Sequence, residues 1–301
     1  MEAVMTPQQP ILAIDGTGLL VRCSRAARPR FLVSPDGTPT GALTLFINSL
    51  AKKVRDTDPS HVVVAWDGPR ATRWRRSQYF GYKAGRNDPW LRSPELHACL
   101  EFCERAGIYQ LWHEGFEADD VLAAITRAAM NMPGKLTLLC SDDDDLLQLA
   151  DDCPDHPVKV MGFSSPVRLT AADVTERWGV TPMWLPKLRA LSGDVSDGIP
   201  GLPGVGPAKA LRMLRQGCFA WPLDETVIND PEYRRLAVIW RDIMDLAIPV
   251  RPMESVTGAA MFRPFRELAR WNPEKGRNAL DLLEHHGMDQ LAQRLAGGRL
   301  W

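Results

Sequence analysis

Asp194 and Asp197 stand just ahead of a glycine-rich hairpin, Gly201-Leu202-Pro203-Gly204-Val205-Gly206, which runs into Pro207-Ala208-Lys209. At i and i+3 the two carboxylates are close enough to face one divalent cation, which favours hard oxygen ligands. Gly204 and Gly206 have no side chain to hold a phosphate away. Backbone N–H groups at the start of a helix over Pro207 to Leu214 can therefore point at a phosphate, and Lys209 adds a point charge one turn in. Together these features read as metal chemistry beside a bound phosphodiester backbone. The plain alternative for the hairpin alone is a turn with two structural glycines. A nucleotide P-loop is excluded, because Lys209 lies between Ala208 and Ala210 and no Ser or Thr hydroxyl follows it.

The elements that must position such a site lie upstream. Three apolar runs read as buried strands: Ile11 to Ile14, His61 to Trp66 and Leu136 to Cys140. Acid follows each at once, as Asp15, Asp67 and the run Asp142 to Asp145. Helical patterns between these runs predict a mostly parallel sheet flanked by helices, in which ligands gather beyond the carboxyl ends of the strands. Glu117-Ala118-Asp119-Asp120 opens an amphipathic helix over Val121 to Met130. Taken alone, these acids are equally well helix caps. Four consecutive aspartates are harder to dismiss, since their repulsion must be offset by a cation or a helix N-terminus. A pocket for two divalent ions accounts for all of these acids.

A chain of 301 residues, 45% hydrophobic and 24% charged, can bury a substantial core in one large domain or two coupled ones. No run is long enough to span a membrane and the N-terminus lacks a signal-peptide pattern, so a cytoplasmic protein is expected. Cys23, Cys99, Cys103, Cys140, Cys153 and Cys218 show no CxxC spacing, which fits reduced thiols and argues against a zinc site. Net charge is −1, but nine of the 37 acids are the candidate ligands. The other 28 acids face 36 Lys and Arg, giving about +8 over the rest of the surface. Arginine supplies 28 of the 36, which suits bidentate phosphate contacts, although biased coding DNA gives the same excess.

Between Asp67 and Pro94, Arg70, Arg73, Arg75, Arg76, Lys83, Arg86 and Arg92 alternate with Trp74, Tyr79, Phe80, Tyr82 and Trp90. Such mixing suits a single nucleic-acid strand, with phosphates on the charges and bases on the rings. The alternative is a solvated helix whose aromatics pack inward. Gly81, Gly85 and Pro89 argue against one long helix. From Val167 onward strands become scarce, and Thr170 is a candidate helix cap. Helical periodicity returns around Tyr233 to Leu246 and Ala279 to Leu295, with no chemistry evident after residue 221.

With these residues assembled, the chain resembles the 5′-nuclease, or flap endonuclease, family, especially the phage-type enzymes and the 5′-nuclease domain of bacterial DNA polymerase I. The likeness covers roughly residues 10 to 215, in order. It is carried by Asp15-Gly16 with Arg22, Asp36 to Gly41, Trp66-Asp67, Tyr82-Lys83 with Arg86, Glu117 to Asp120, Ser141 to Asp145 with Gln148-Leu149, and the hairpin. No polymerase segment follows, so the free-standing form is expected.

The resemblance implies an α/β, PIN-like catalytic domain over 1–165 with a short arch region at about 68–95. It also implies a helical region over 166–301 containing a helix-three-turn-helix (helix-hairpin-helix) module at about 185–220. It implies two magnesium or manganese ions, with Asp15, Asp67, Glu117, Asp119 and Asp120 in one ligand cluster and Asp143, Asp145, Asp194 and Asp197 in the other. Asp142 and Asp144 fall where the family uses no ligand. Lys83 and Arg86 match basic residues that contact the scissile phosphate. Arg75 matches a third if one residue is inserted after Asp67. Arg22, Gly204, Gly206 and Lys209 fall at DNA-binding positions, and a potassium ion is implied at the hairpin. The implied substrate is DNA with a 5′ flap or 5′ end, or an RNA–DNA hybrid, cut by a monomer in a bacterial cell or phage-infected host, with replication proteins as candidate partners.

Three other readings share some of these residues. A non-catalytic, structure-specific DNA-binding protein would lose acids, yet all nine are present. An RNA-directed PIN nuclease would lack the hairpin module. A phosphatase that begins Asp-x-Asp would need an acid where Thr17 stands.

Overall fold

Each of the three apolar runs forms a strand, and three further strands join them. The computed structural model describes residues 9–27, 32–35, 37, 39–84, 93–132, 134–217, 220–247 and 270–301. Its strands are β1 (Ile11–Asp15), β2 (His61–Ala65), β3 (Tyr109–Leu111), β4 (Thr137–Cys140), β5 (Val158–Met161) and β6 (Arg168–Leu169). They lie in the order β3-β2-β1-β4-β5-β6, parallel throughout except that β6 runs antiparallel to β5. Among its helices are α1 (Gly16–Ala27), α2 (Gly41–Thr57), α3 (Arg73–Gln78), α4 (Pro94–Arg105), α5 (Ala118–Ala129), α6 (Ala171–Trp178), α7 (Leu185–Ser192), α8 (Pro207–Gln216) and α9 (Pro231–Met244). Two short terminal helices, Leu280–His285 and Asp289–Ala296, follow.

Strand alternation sets the layers, because successive side chains of a strand point to opposite faces. Ile11, Ala13, Val63 and Leu139 join one apolar cluster with residues of α5, α7, α8 and α9. Leu12, Ile14, Val64 and Cys140 join a second cluster with α1, α2, α4 and the terminal helices. Both faces of the sheet are thus covered, which explains why the central strands read as unbroken apolar runs.

The expected boundary at residue 165 is not where the sheet ends. Val160 and Met161 pair with Leu169 and Arg168, so the last strand lies beyond it. The segment 270–301 also packs back on the sheet layer rather than on the helical module. Arg294 donates to Asn48 at 2.7 Å, and Arg55 donates to the Leu300 carbonyl. Thr170 caps α6 as expected, in a reciprocal box with Asp173 at 3.1 and 2.8 Å. Among the described residues Cys23, Cys99, Cys103, Cys140 and Cys153 are free thiols, and no helix is long and apolar enough to cross a membrane. Cys218, Asp36 and Thr38 lie outside the described residues.

Phe46 of α2 is fully buried and stacks on Trp66, ring centroids 5.7 Å apart, immediately before Asp67. Phe46→Ala should lower unfolding stability by about 3–5 kcal/mol, read as a lower denaturant midpoint at unchanged slope.

Candidate active site

Strand register brings the first acids together. Asp15 lies opposite Ala65, two residues before Asp67, while Ile14 lies opposite Cys140, so Ser141 comes up beside Asp15. The site therefore opens at the carboxyl ends of β1, β2 and β4, where the sheet order reverses direction from β1. Asp15 is buried and accepts from the Gly18 N–H at 2.7 Å and the Ser141 hydroxyl at 2.8 Å. A Cβ on Gly18 would fall 2.1 Å from an Asp15 carboxylate oxygen, so a side chain there would displace that carboxylate. Asp67 donates its N–H to Thr17 Oγ1 at 2.8 Å, and its carboxylate accepts from the Ala118 N–H at 2.8 Å.

Asp15, Asp67, Lys83, Glu117, Asp119 and Asp143 line one open cavity of about 690 Å³. Burial pushes the Asp15 carboxyl up to about 6, and burial reinforced by Glu117 pushes Asp67 up to about 7. Burial, then Asp143 and Asp15, drives Asp119 well above the carboxylate range. Among the described residues none of Asp15, Asp67, Asp119 or Asp143 has an ion-pair partner.

Glu117 behaves in the opposite way. Burial disfavours its charge, but Lys83 and Arg75 hold it down to about 2. It accepts from Lys83 Nζ at 2.6 Å, Arg75 Nη1 at 2.9 Å and the Tyr82 hydroxyl at 2.7 Å. Burial would lower the Lys83 ammonium, yet Glu117, Tyr82 and Asp197 hold it well above the ordinary lysine value. Lys83 also reaches Asp197 at 3.4 Å, and its N–H donates to the Asp197 carbonyl at 2.9 Å. A Cβ on Gly198 would lie 2.5 Å from the Gly81 carbonyl, so the two turns meet backbone to backbone.

Three sequence expectations do not hold in this geometry. Asp120 does not line the cavity: Arg75 holds it through two nitrogens at 2.5 and 2.6 Å, and its carboxylate also takes the Glu117 N–H at 3.0 Å as a helix cap. Arg75 is 2% exposed and is committed to Asp120, Glu117 and the Ile243 carbonyl at 2.6 Å, so it supports the site from behind and cannot touch a phosphate. The mixed basic and aromatic segment also packs inward more than expected. Tyr82 is buried, Tyr79 meets Trp240 edge-on at 6.2 Å, and Phe80, at 88% exposed, is the ring left in solvent among the described residues of that segment. Arg86, Arg92 and Trp90 lie outside the described residues.

The second group of acids gathers around a residue that sequence reading missed. Arg189, at the end of α7, pairs with Asp145 and reaches Asp194 at 3.3 Å. Asp194 folds its own turn by accepting from the Ser196 N–H at 2.9 Å and the Asp197 N–H at 3.2 Å. Asp143 accepts from the Asp145 N–H at 2.9 Å, and Asp144 is exposed. Arg22 pairs with Asp142 at the cavity rim and donates to Ser164 at 2.6 Å. Among the described residues no three His, Cys, Asp or Glu side chains already converge at metal-ligating distance, and the Lys83 ammonium stands between the two groups. The all-carboxylate donor set nevertheless suits hard divalent cations and no soft metal.

The hairpin joins α7 to α8. Gly204 has φ +68°, and space is open around both Gly204 and Gly206, where a Cβ would meet nothing within 4 Å. Pro207 occupies the first turn of α8, and Lys209 reaches back to the Gly204 carbonyl at 3.4 Å. This leaves a bare backbone surface with a cation beside it.

Replacing Arg75 by Met would leave the Asp120 carboxylate buried with its charge uncompensated and Glu117 with Lys83 as its remaining cation. Unfolding experiments on Arg75→Met should show a loss of about 3–5 kcal/mol.

The N-terminal resolvase-like domain of 5′-3′ exonucleases matches residues 10–179. The 5′-3′ exonuclease of Bacillus subtilis is 31% identical over 209 residues, covering 68% of this chain and 70% of that protein. DNA polymerase I of Rhizobium leguminosarum is 33% identical over 224 residues, 72% of this chain, which thus spans about a fifth (21%) of that relative's length. The fold is similar to the D15 protein of phage T5, co-crystallised with metal ions, at TM-score 0.64 and 18% identity over 92% of this chain and 99% of that one. It is also similar to the catalytic core of Rad2 in complex with a DNA substrate, at TM-score 0.52 and 16% identity over 96% and 92%. With the domain match spanning more than half of its length, the chain belongs to the 5′-3′ exonuclease family.

Proposed function

We propose that the chain is a structure-specific 5′ nuclease that hydrolyses DNA phosphodiesters near junctions of single strand and duplex carrying a 5′ end, in replication or repair. The observation that carries this reading is the cavity in which Asp15, Asp67, Asp119 and Asp143 stand without a protein cation beside the Lys83 ammonium. Carboxylates so placed await positive charge from outside the chain. Asp15, Asp67, Glu117 and Asp119 from one side, and Asp143, Asp145, Asp194 and Asp197 from the other, would hold two magnesium or manganese ions. Asp120 acts behind them by fixing Arg75 and the first turn of α5. Ions held there would supply Lewis acidity toward water and the leaving oxygen.

The chain's own residues do the rest. Ser141 and the Gly18 N–H orient the Asp15 carboxylate, and Ala118 orients Asp67. Lys83 stays protonated and offsets charge growing on the phosphate. Arg86 is assigned the same task by its match to the family motif. Gly204, Gly206 and Lys209 hold the duplex through backbone phosphates without reading base identity. Arg22 guides the strand at the cavity rim, and a potassium ion at the hairpin follows from the family likeness. The protein acts as a monomer on DNA with a 5′ flap or on an RNA–DNA hybrid.

The test is cleavage of a 5′-labelled flap and a matched blunt duplex, with magnesium or chelator, by wild type and Asp67→Ala. Metal-dependent cutting near the junction, lost in the variant, is expected; tight binding without cutting would sink the nuclease reading. Lys209→Ala should weaken duplex binding uniformly across sequences and reduce the salt slope by about 1. An unchanged slope would remove the phosphate contact at Lys209.

A further inference from the structure

The helix α9 meets the supports of both groups of acids, Arg75 on one side and Gln148 on the other. Gln148 sits in the short 3₁₀ turn Asp144–Leu149. Its amide nitrogen donates to the Asp145 carbonyl at 2.9 Å and to the Met244 carbonyl at 3.0 Å, and its Oε1 accepts from the Leu246 N–H at 2.9 Å. Both ends of the amide are used, which fixes its orientation. One residue earlier on α9, the Ile243 carbonyl accepts from Arg75 Nε at 2.6 Å, and Arg75 in turn holds Glu117 and Asp120. Adjacent carbonyls at the end of one helix are therefore claimed by the supports of the two acid groups.

The last carbonyls of a helix have no partner within it, and a guanidinium complements the negative end of the helix dipole. The end of α9 cannot shift freely, because Trp240, Ile243, Met244 and Leu246 are all buried. Removing either support would leave a buried carbonyl unpaired. The anchor lies in the segment after residue 221, where the sequence shows no chemistry of its own.

We propose that the C-terminal turn of α9 is the common anchor that sets the spacing between the two acid groups, and that Gln148 is the positioning residue through which it holds the Asp143–Asp145 turn. This inference rests on the metal-dependent nuclease reading. Gln148 touches no reacting atom; its effect passes through the Asp145 backbone.

The experiment compares full-length wild type, Gln148→Leu and Gln148→Glu. The readouts are steady-state flap cleavage, manganese binding by titration calorimetry without DNA, flap binding in chelator, and thermal melting. Folded Gln148→Leu should lose about 10–100-fold in kcat and in manganese affinity, while flap binding in chelator stays within about twofold of wild type. Gln148→Glu retains the acceptor for Leu246 and most of the volume, so it should fall between the two, and it carries the test if the leucine variant does not fold. Wild-type kcat and manganese affinity in a folded variant would overturn the proposal. So would a parallel loss of flap binding, which marks general disorder rather than positioning. If wild type itself fails to cut, the nuclease reading fails, and the calorimetry still decides whether Gln148 sets metal affinity.

Discussion

Repulsion among acids is the constraint to which the rest of the structure answers. Two like charges 4 Å apart repel by about 4 kcal/mol at an effective dielectric of about 20, against a whole-domain stability of about 5–15 kcal/mol. Asp15, Asp67, Glu117, Asp119, Asp143, Asp145, Asp194 and Asp197 share one end of the sheet with three engaged cations, Arg75, Lys83 and Arg189. The division of labour is plain. Glu117 takes the protein's own charge and is held fully ionised, while Asp15, Asp67 and Asp119 are pushed toward protonation. A protein that needed this cluster only for stability would do better with apolar residues of the same volume. The imbalance makes sense as readiness for an outside charge.

Most of the cluster was legible in sequence because strand ends announce it. An apolar run that stops at an acid places that acid at the carboxyl edge, and three such runs in a parallel sheet must converge. What was not legible was direction. Glu117, Asp119 and Asp120 lie within one helical turn, and periodicity alone does not say which carboxylate faces the cavity. Only the position of Arg75 shows that Asp120 turns away. Arg189 was missed for a related reason: it reads as an ordinary basic residue closing a helix, and its partners lie 44 and five residues away. The strands β3 and β6 do not register because they are two or three residues long and only partly buried, and in β5 Lys159 interrupts the apolar run.

The segment from Asp67 to Ala84 shows how composition can mislead about surface. Its arginines and rings read as a strand-binding face, but Arg75 and Tyr82 are each only 2% exposed. Their job is structural: the Tyr82 hydroxyl and the Arg75 guanidinium hold Glu117 from the side away from the cavity. The aromatic faces also shelter charge, since Arg75 lies 4.6 Å from the Trp74 ring and Lys83 lies 5.0 Å from that of Tyr82. Phe80 alone keeps the expected exposure among the described rings of the segment, which concentrates any base stacking there in one side chain.

The same turn ties the Asp197 loop to the acids at the end of the sheet. Lys83 has φ +45°, a backbone state that costs a non-glycine residue energy and persists only when its surroundings over-determine it. Here they do: its N–H is held by the Asp197 carbonyl, its ammonium by Glu117 and Asp197, and the neighbouring Arg76 takes the carbonyls of Tyr82 at 3.1 Å and Lys83 at 2.7 Å. Gly198 permits the contact because any side chain there would strike the Gly81 carbonyl. Under the proposed function, a duplex held at the Gly204 hairpin would therefore be registered against Lys83 through these backbone contacts. The distance from hairpin to cavity is then set by the fold, and on the same proposal it would set which phosphodiester lies at the acids.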